Sequence, residues 1–468
     1  MKKESPLEKK LLYQRKLVWD ELDQESRKKA LSFAKSYQEF LTRGKTEWEA
    51  VIEGTKIAEE AGFVPLGKLK KGFNEKKVYA TNREKNLVLA VLGKRPILEG
   101  VRIIISHIDS PRLDLKAHPL YEEENLAFLK THYYGGIKKY QWVTIPLALH
   151  GVVVLKNGKK INLTIGERKE EPVFTITDLL PHLAAEQMKK SLEKGIEGEA
   201  LNILAGSIPH KDRDVKERIK LAILEYLNQK YQITEEDLVS SEIEAVPAGE
   251  ARDLGLDQSL IAGYGQDDRV CAYSALRAIC ELENPQITSI CIFVDKEEIG
   301  SEGVSGAQST FLISFLSEIL NLSVPGATEL QLRKLLSSSK AISADVNAGV
   351  DPTYKDVSEL RNSPRIGCGV VITKSTGKGG KSGSSEASSG FVAYLRNLFE
   401  KRKVTWQTGE LGKVDQGGGG TAAKYLARHN CEVIDCGTPL LSMHSPLEVA
   451  HKADIYSTYQ AYLAFYNG

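Results

Sequence analysis

Histidine and carboxylate side chains recur in this sequence where an apolar run ends or a helix begins. The clearest example is the apolar run 101–106, which leads directly into His107 and then Asp109. Buried strands often carry ligands and catalytic groups at the point where they leave a sheet. Taken alone, the pair has an equally good structural interpretation, in which His107 is a hydrogen-bonded core residue and Asp109 begins a turn.

Four further positions repeat this arrangement. Asp267 and Asp268 precede a predicted helix, Glu297 and Glu298 follow an apolar strand, Asp345 follows a short buried strand, and His444 begins a turn or helix. Each has a structural alternative of its own, since Asp, for example, is a common N-cap residue. Adjacent glutamates at the end of a buried strand are hard to explain by packing, and five such positions in one chain favour a shared site.

The chemistry of such a site is that of a divalent cation. Two histidines with several carboxylates suit Zn²⁺, Mn²⁺ or Co²⁺, and a carboxylate-rich site favours an open catalytic centre over a closed structural zinc. Five ligands, one of them shared, suffice for two ions about 3.5–4 Å apart with a water between them. One glutamate of the pair Glu297 and Glu298 would then be free to act as a general base. Asp109 could orient the imidazole of His107.

The elements that must position these residues are those of an α/β fold. Helical spacing covers residues 7–43 and 46–62, and short strands follow at 78–81, 87–92 and 101–107. Strands and helices alternate again from about residue 258 to the end, which predicts a sheet with helices on both faces.

Residues 112–257 have a different texture. Short strands separated by turn residues are predicted at 152–155, 161–165 and 173–176, with helices near 183–194 and 214–229. The segment is predicted to be a β-rich insertion with its own core. Its aromatic and glycine-rich stretch 133–142 suits an interface, although it equally suits an ordinary β-domain.

Composition excludes several classes of protein. The 468 residues are enough for two or three domains, and 63 Lys and Arg against 62 Asp and Glu give no signal for nucleic acid or an anionic membrane. No apolar run reaches the length of a membrane span, and the charged stretch 1–10 has no apolar segment behind it, as a secretory signal would. The six scattered cysteines form no Cys-x-x-Cys pair and are typical of reduced core residues in a cytoplasmic protein.

The Gly/Ser/Lys-rich run 375–385 imitates a phosphate-binding loop. Its Gly380-Lys381-Ser382 has the end of a P-loop, but position 375 is Ser where a P-loop has Gly. A mobile or substrate-facing loop is the better interpretation. Lys374, Lys378 or Lys381 could meet a substrate carboxylate, although solvated loop charges explain them equally.

The chemistry-bearing motifs together resemble one family closely. His107-x-Asp-Ser-Pro, the helix start at Asp267, Asp295-x-Glu-Glu-x-Gly-Ser-Glu302, Ile342-Ser-Ala-Asp345 and Met443-His-Ser445 are similar to those of the aspartyl aminopeptidase and vacuolar aminopeptidase I family. These are dizinc exopeptidases, and the resemblance runs in order from about residue 100 to the C-terminus. It implies a mixed central sheet flanked by helices on both faces, interrupted by an inserted β-rich dimerisation domain. The domains would be 1–111 with 258–468 for the peptidase and 112–257 for the insertion.

The resemblance also implies roles for individual residues. One ion would be held by His107, Asp267 and Asp345, and the other by Glu298, His444 and the same Asp267. Glu297 would be the general base, and Asp109 the partner that orients His107. The cofactors would be two divalent ions per chain, zinc first, with Mn²⁺ or Co²⁺ as alternatives.

The implied function is hydrolysis of N-terminal residues from peptides through a water that bridges the two ions. Peptides with a free N-terminus would be the substrates, and neither nucleic acid nor membrane is expected as a partner. The family forms dimers assembled into a dodecamer, and a histidine of a Pro-His-Leu-Ala segment reaches a neighbouring subunit's site. Here that segment is 181–184, so the resemblance points to His182.

Some residues depart from the family pattern. Asp268 stands where many relatives have Asn, and the segment after Asp345 lacks the histidines of the animal enzymes. The preference for acidic or neutral N-terminal residues is therefore left open. A related metal-dependent carboxypeptidase or amide deacylase, and a non-catalytic assembly protein of the same fold, are the rival functions.

Overall fold

The computed structural model describes residues 5–70 and 74–468, so the first four residues of the charged N-terminal stretch lie outside it. The part before the insertion is helices followed by strands: α1 Pro6–Leu11, α2 Val18–Glu21, α3 Gln24–Arg43, α4 Glu47–Glu60, β1 Val64–Pro65, β2 Lys77–Asn82, β3 Asn86–Val91 and β4 Arg102–His107. The helical spacing of residues 7–43 corresponds to three helices, because the chain is interrupted twice. Leu17 and Leu22 adopt extended backbone, so they separate α2 from its neighbours.

The middle of the chain is mostly strand: β5 Arg112–Glu123, β6 Leu126–Tyr134, β7 Leu147–Val154, β8 Lys160–Ile165, β9 Thr175–Ile176, α5 Ala185–Met188, α6 Leu192–Gly195, β10 Ile203–Gly206, α7 Arg218–Tyr231 and β11 Ser241–Pro247. The helix expected near 183–194 is two single turns, α5 and α6. The long hairpin of β5 and β6 was not among the predicted strands.

The remainder alternates strands and helices: β12 Arg252–Leu254, β13 Leu260–Gly263, α8 Gln266–Cys280, β14 Ser289–Val294, α9 Phe311–Ser323, α10 Glu329–Ser337, β15 Lys340–Ser343, β16 Asn347–Ala348, β17 Val370–Thr373, α11 Ser389–Lys401, β18 Trp406–Thr408, α12 Ala423–Ala427, β19 Glu432–Gly437, β20 Pro439–Leu441, β21 Glu448–His451 and α13 Lys452–Asn467. Within the described residues, no helix is both long and apolar enough to cross a membrane.

A nine-stranded mixed sheet forms the centre, in the order β1-β2-β3-β14-β4-β15-β19-β17-β18. Its strands come from both sides of the middle segment, and β14, β4, β15 and β19 run parallel. Side chains alternate across the sheet, so Ile103 and Ile105 pack against α9, α10 and α12, while Ile104 packs with α3, α4, α8, α11 and α13. The predicted α/β architecture with helices on both faces is confirmed.

A separate seven-stranded sheet, in the order β8-β7-β11-β5-β6-β10-β9, is built only from the middle segment and has its own apolar core. A third sheet, in the order β12-β13-β21-β20-β16, is made of short strands. The division of the chain into domains at 111 and 257 stays a prediction.

Candidate metal centre

The parallel strands of the central sheet bring three of the predicted positions to one edge. In β14, Val294 is level with His107 at the end of β4, and in β15, Ser343 is level with Ile105. Glu297 and Glu298 follow β14 after a turn, and Asp345 follows β15 by two residues. Because these parallel strands end at the same edge, their side chains converge there.

Asp267 reaches the same edge from the first turn of α8. Gly265 caps this helix with a left-handed backbone (φ +73°), and a Cβ there would lie 1.8 Å from Nη1 of Arg269. The buried Arg269 donates from Nε to the carbonyl of Ile108, 3.1 Å away. Ser110 Oγ donates to the Asp267 carbonyl oxygen at 2.7 Å, so the chain after β4 and the start of α8 hold each other in place.

The two carboxylate oxygens of Asp267 face the two histidines. Oδ1 lies 3.2 Å from Nε2 of His107, and Oδ2 lies 3.3 Å from Nε2 of His444. His444 Nε2 is also 3.3 Å from Oε1 of Glu298, and His107 Nε2 is 3.9 Å from Oδ1 of Asp345. The structure therefore brings together all five residues that the sequence nominated as ligands.

Unpaired oxygens show that the donor set fits a cation. Asp267 Oδ1 and Glu298 Oε1 are buried, and apart from the imidazole nitrogens that face them at 3.2 and 3.3 Å they have no hydrogen-bond donor among the described residues. Ligand atoms of His107, Asp267 and Glu298 lie within 4.8 Å of one another, as do those of Asp267, Asp268 and Asp345. Buried carboxylate oxygens without partners are costly, and a bound cation would satisfy them.

The pKa values of the metal-free centre reflect its surplus of carboxylates. Burial raises the pKa of Glu298 and Asp345 well above the usual range, and the neighbouring carboxylate of Asp267 adds to this shift. Burial opposes protonation of the histidines, but hydrogen bonding to nearby carboxylates outweighs it and raises the pKa of His107 well above its usual value and that of His444 to about 10.

Asp109 contacts the loop of Glu297 and Glu298 as well as His107, the one partner that was predicted for it. Its carbonyl oxygen lies 3.0 Å from Nδ1 of His107, closer than its carboxylate Oδ1 at 3.4 Å. The carboxylate accepts the backbone N–H groups of Glu297 and Glu298, at 3.1 and 3.2 Å. Asp109 therefore contacts both the imidazole and the loop that carries the two glutamates.

Glu297 opens the short 3₁₀ turn after β14. Burial raises its pKa to about 7 in the metal-free chain, with His107 opposing and Asp109 and Asp267 adding to the shift. The loop is also fixed farther along, because Ser305 Oγ donates to Asp295 at 2.6 Å and Tyr425 Oη donates to the Gly300 carbonyl at 3.0 Å.

Sequence reasoning missed several residues of the centre. The buried Glu448, at the start of β21, accepts the backbone N–H of His444 at 2.8 Å and that of Asp267 at 3.1 Å, and burial raises its pKa to about 8. Tyr134 Oη donates to Asp109 at 2.8 Å, and the Gly136 carbonyl lies 2.9 Å from Nδ1 of His444. The only sequence signal for Glu448 was its place four residues after His444.

The remaining residues named in the sequence analysis either have other partners or lie away from the centre. Asp268 accepts a short hydrogen bond from Ser106 Oγ, and burial raises its pKa well above the usual range. His182 is exposed in a turn of the middle segment, and among the described contacts no hydrogen bond or ion pair joins it to the centre. Lys374 and Lys381 pair with the exposed Glu386, at 3.5 and 2.9 Å.

Comparison with known proteins finds one family along nearly the whole chain. The family described as aminopeptidase I zinc metalloprotease (M18) matches residues 40–466. A probable M18 family aminopeptidase 1 of Clostridium acetobutylicum is 50% identical over 461 residues, covering 98% of this chain and 99% of that protein. The crystal structure of an M18 family aminopeptidase from Thermotoga maritima is 45% identical with a TM-score of 0.94, and the match covers 97% of this chain and 100% of that one. The mApe1 dodecamer of S. cerevisiae shares the fold at 19% identity, with a TM-score of 0.73 over 92% of this chain and 95% of that one.

Proposed function

The chain belongs to the M18 family of zinc aminopeptidases and is a hydrolase of that class, and on this premise we propose that its described centre holds two zinc ions and removes N-terminal residues from peptides. The observation that carries the proposal is the placement of Asp267 between His107 and His444, with one carboxylate oxygen toward each ring. A carboxylate shared by two imidazoles is the arrangement that a bridging ligand requires.

The proposed ligands divide into two sets around Asp267. His107 and Asp345 would hold one ion, and Glu298 and His444 the other. The unpaired oxygens of Asp267 and Glu298 support this division, and Mn²⁺ or Co²⁺ would suit the same donors. Asp268 is left out because neither histidine contacts its carboxylate and Ser106 engages its Oδ2, although its Oδ1 is buried without a partner among the described residues.

When bound, the two ions would polarise the scissile carbonyl and lower the pKa of the attacking water. Glu297 is assigned the proton transfers. Its carboxylate accepts the proton of the attacking water and later donates it to the nitrogen of the leaving amine. The backbone hydrogen bond from Glu297 to Asp109 fixes the position of the loop that carries this side chain.

The exopeptidase register would come from the free α-amino group of the substrate. That group would bind one of the ions or a nearby carboxylate of the centre. A free N-terminus would therefore be favoured over a blocked one. The rival carboxypeptidase and deacylase functions need no such group.

A panel of aminoacyl reporters and their N-acetylated counterparts, assayed with added Zn²⁺, Mn²⁺ or Co²⁺, tests this function. We expect turnover of the free forms only, and the panel also ranks acidic against neutral side chains and the three metals. Turnover of blocked substrates at a comparable rate would instead support an amide deacylase. Absence of any turnover together with less than one bound metal per chain would support the non-catalytic alternative.

We also propose that the chain forms dimers that assemble into a dodecamer, with His182 entering a neighbouring subunit's centre. Large apolar side chains close to His182 in the sequence are at least half exposed: Leu179, Leu180, Leu183, Met188 and Leu192. Leu179 and Leu183 line a cleft of about 460 Å³ with Ile196. Apolar patches of this kind mark protein–protein contacts, and the similar yeast protein is described as a dodecamer.

We place the protein in the cytoplasm. All six cysteines lie in described parts of the chain, where they form no disulfide bond, and five of them are buried. Unpaired buried cysteines are typical of a reducing compartment.

A further inference from the structure

The turn at the end of β6, residues 134–136, touches both halves of the metal centre. It belongs to the seven-stranded sheet of the middle segment and not to the central sheet. The Tyr134 hydroxyl binds Asp109 at 2.8 Å, and the Gly136 carbonyl lies 2.9 Å from Nδ1 of His444. One short stretch therefore contacts Asp109, the partner of His107, and also contacts His444 directly.

The ring of Tyr134 packs against a buried ionic cluster next to the metal centre. Its buried ring lies 3.9 Å from the guanidinium of Arg112, which pairs with Glu244 at 3.1 Å and with Glu47 at 3.6 Å. Glu47 lies in α4, whereas Arg112 and Glu244 lie in β5 and β11. The ring is thus fixed by a buried ionic cluster that joins the two parts of the chain.

The hydroxyl of Tyr134 completes the hydrogen bonds of Asp109. Oδ2 of Asp109 accepts from Tyr134 and from the N–H of Glu298, while Oδ1 accepts from the N–H of Glu297. Without the hydroxyl, one lone pair of this fully buried carboxylate would lose its donor. The carboxylate would then be held only by the N–H groups of Glu297 and Glu298, so its orientation beside His107 would be less constrained.

The Gly136 carbonyl selects the orientation of His444. A carbonyl accepts only, so Nδ1 of His444 must carry the proton and Nε2 is left to face Asp267 and Glu298. The Asp109 carbonyl does the same for His107. Metal-binding histidines commonly depend on such partners for their ring orientation and tautomer.

Gly135 allows the turn to come this close. Its backbone is left-handed (φ +72°), and a Cβ at this position would lie 3.3 Å from Cβ of Glu298 and 3.3 Å from Cγ of Pro111. A side chain here would press on a proposed ligand and strain the turn.

We propose that Tyr134, Gly135 and Gly136 are positioning residues of the metal centre, so that the middle segment sets how tightly the ions are held. The proposal rests on the proposed function, because it takes His107, Glu298 and His444 as ligands. It gives the middle segment a role within its own chain, separate from any contact between subunits.

The test is Tyr134→Phe compared with Tyr121→Phe. Tyr121 stacks on Phe128 in the same sheet and does not touch the centre. Its substitution by Phe removes an equivalent hydroxyl group. The measurements are the rate of zinc release to a chromogenic chelator, the visible spectrum of the Co²⁺-loaded protein, kcat, KM and the melting temperature. Loss of a partner of this kind typically costs about 10–100-fold in metal affinity or activity, so we expect zinc release from Tyr134→Phe to accelerate within that range with a changed Co²⁺ spectrum. Tyr121→Phe should match the parent.

The proposal is overturned if Tyr134→Phe releases zinc within twofold of Tyr121→Phe, even if its melting temperature falls. Gly135→Ala supplies a second variant should Tyr134→Phe fail to fold: faster zinc release from the folded protein supports the proposal, and release at the parent's rate overturns it. His107→Ala in the same assay distinguishes failure of this proposal from failure of the metal assignment on which it rests. If that variant binds as much zinc as the parent, the metal assignment itself has failed.

Discussion

At the scale of single residues, adjacent carboxylates of the same type have different roles. Asp267 faces both histidines, while its neighbour Asp268 is bound by Ser106. Sequence position alone does not predict this difference, since both residues open the same helix. The difference lies in their neighbours: both carboxylate oxygens of Asp267 face an imidazole, whereas Oδ2 of Asp268 accepts from Ser106.

This difference predicts opposite outcomes for two conservative substitutions. Asp267→Asn replaces one charged oxygen with a donor group that repels cations. We therefore expect loss of most bound metal and a fall in kcat/KM larger than the factor of about 10–100 typical of losing an outer partner of a ligand. Asp268→Asn should keep its metal, because burial already favours the uncharged form of this side chain. Elemental analysis and steady-state kinetics on both variants check this, and equal metal loss would contradict the division of roles.

At the scale of elements, the strand ends of the central sheet were predictable and the contacts from the middle segment were not. His107, Glu298 and Asp345 follow apolar runs, and parallel strands deliver their last residues to one edge. The contact of Gly136 with His444 joins positions 308 residues apart through a main-chain carbonyl. A carbonyl leaves no mark in the residue types, so no sequence pattern could have revealed it.

A second junction between the elements contains a titratable group. His150 of β7 is buried between Glu49 of α4, 2.8 Å from Nδ1, and Glu167 after β8, 2.9 Å from Nε2. Lys45 also pairs with Glu167 at 2.5 Å, and Glu244 is level with His150 on the next strand. Burial opposes protonation of His150, but the hydrogen bonds with Glu167 and Glu49 outweigh it and raise its pKa.

The raised pKa fixes the sign of a pH-dependent stability. The contribution of His150 is fully present below the unfolded-state pKa, about 6.5, and is lost as pH rises through the higher native value. We therefore expect His150→Gln to destabilise the chain by about 3 kcal/mol between about pH 5 and 6.5, and by less at alkaline pH. Denaturant unfolding at several pH values measures this, with the exposed His118→Gln as control. A difference from the parent that grows with pH would show that the sign is wrong.

At the scale of the whole molecule, the proposal that His182 enters a neighbouring subunit's centre predicts shared active sites. If His182 acts in a neighbour's centre, His182→Ala and Glu297→Gln are each defective alone but complement each other in one assembly. A co-expressed mixture should then recover a substantial fraction of the parent's activity, because some centres combine an intact Glu297 with a partner's intact histidine.

The complementation has a clear control. The two variants purified separately and mixed without subunit exchange should stay inactive, and their masses in solution should equal that of the parent assembly. If the co-expressed mixture is no more active than the separate variants, His182 acts within its own subunit or not at all.

The most direct test of the central claim is metal content and turnover of Glu297→Gln, measured on the same sample. Glutamine keeps the size of the side chain but cannot accept the proton of the attacking water. We predict the parent's metal content, two ions per chain, with kcat reduced on the order of 10²–10⁴-fold. Turnover close to the parent's would contradict the role of Glu297 as general base, and loss of one ion would show that it is a ligand instead.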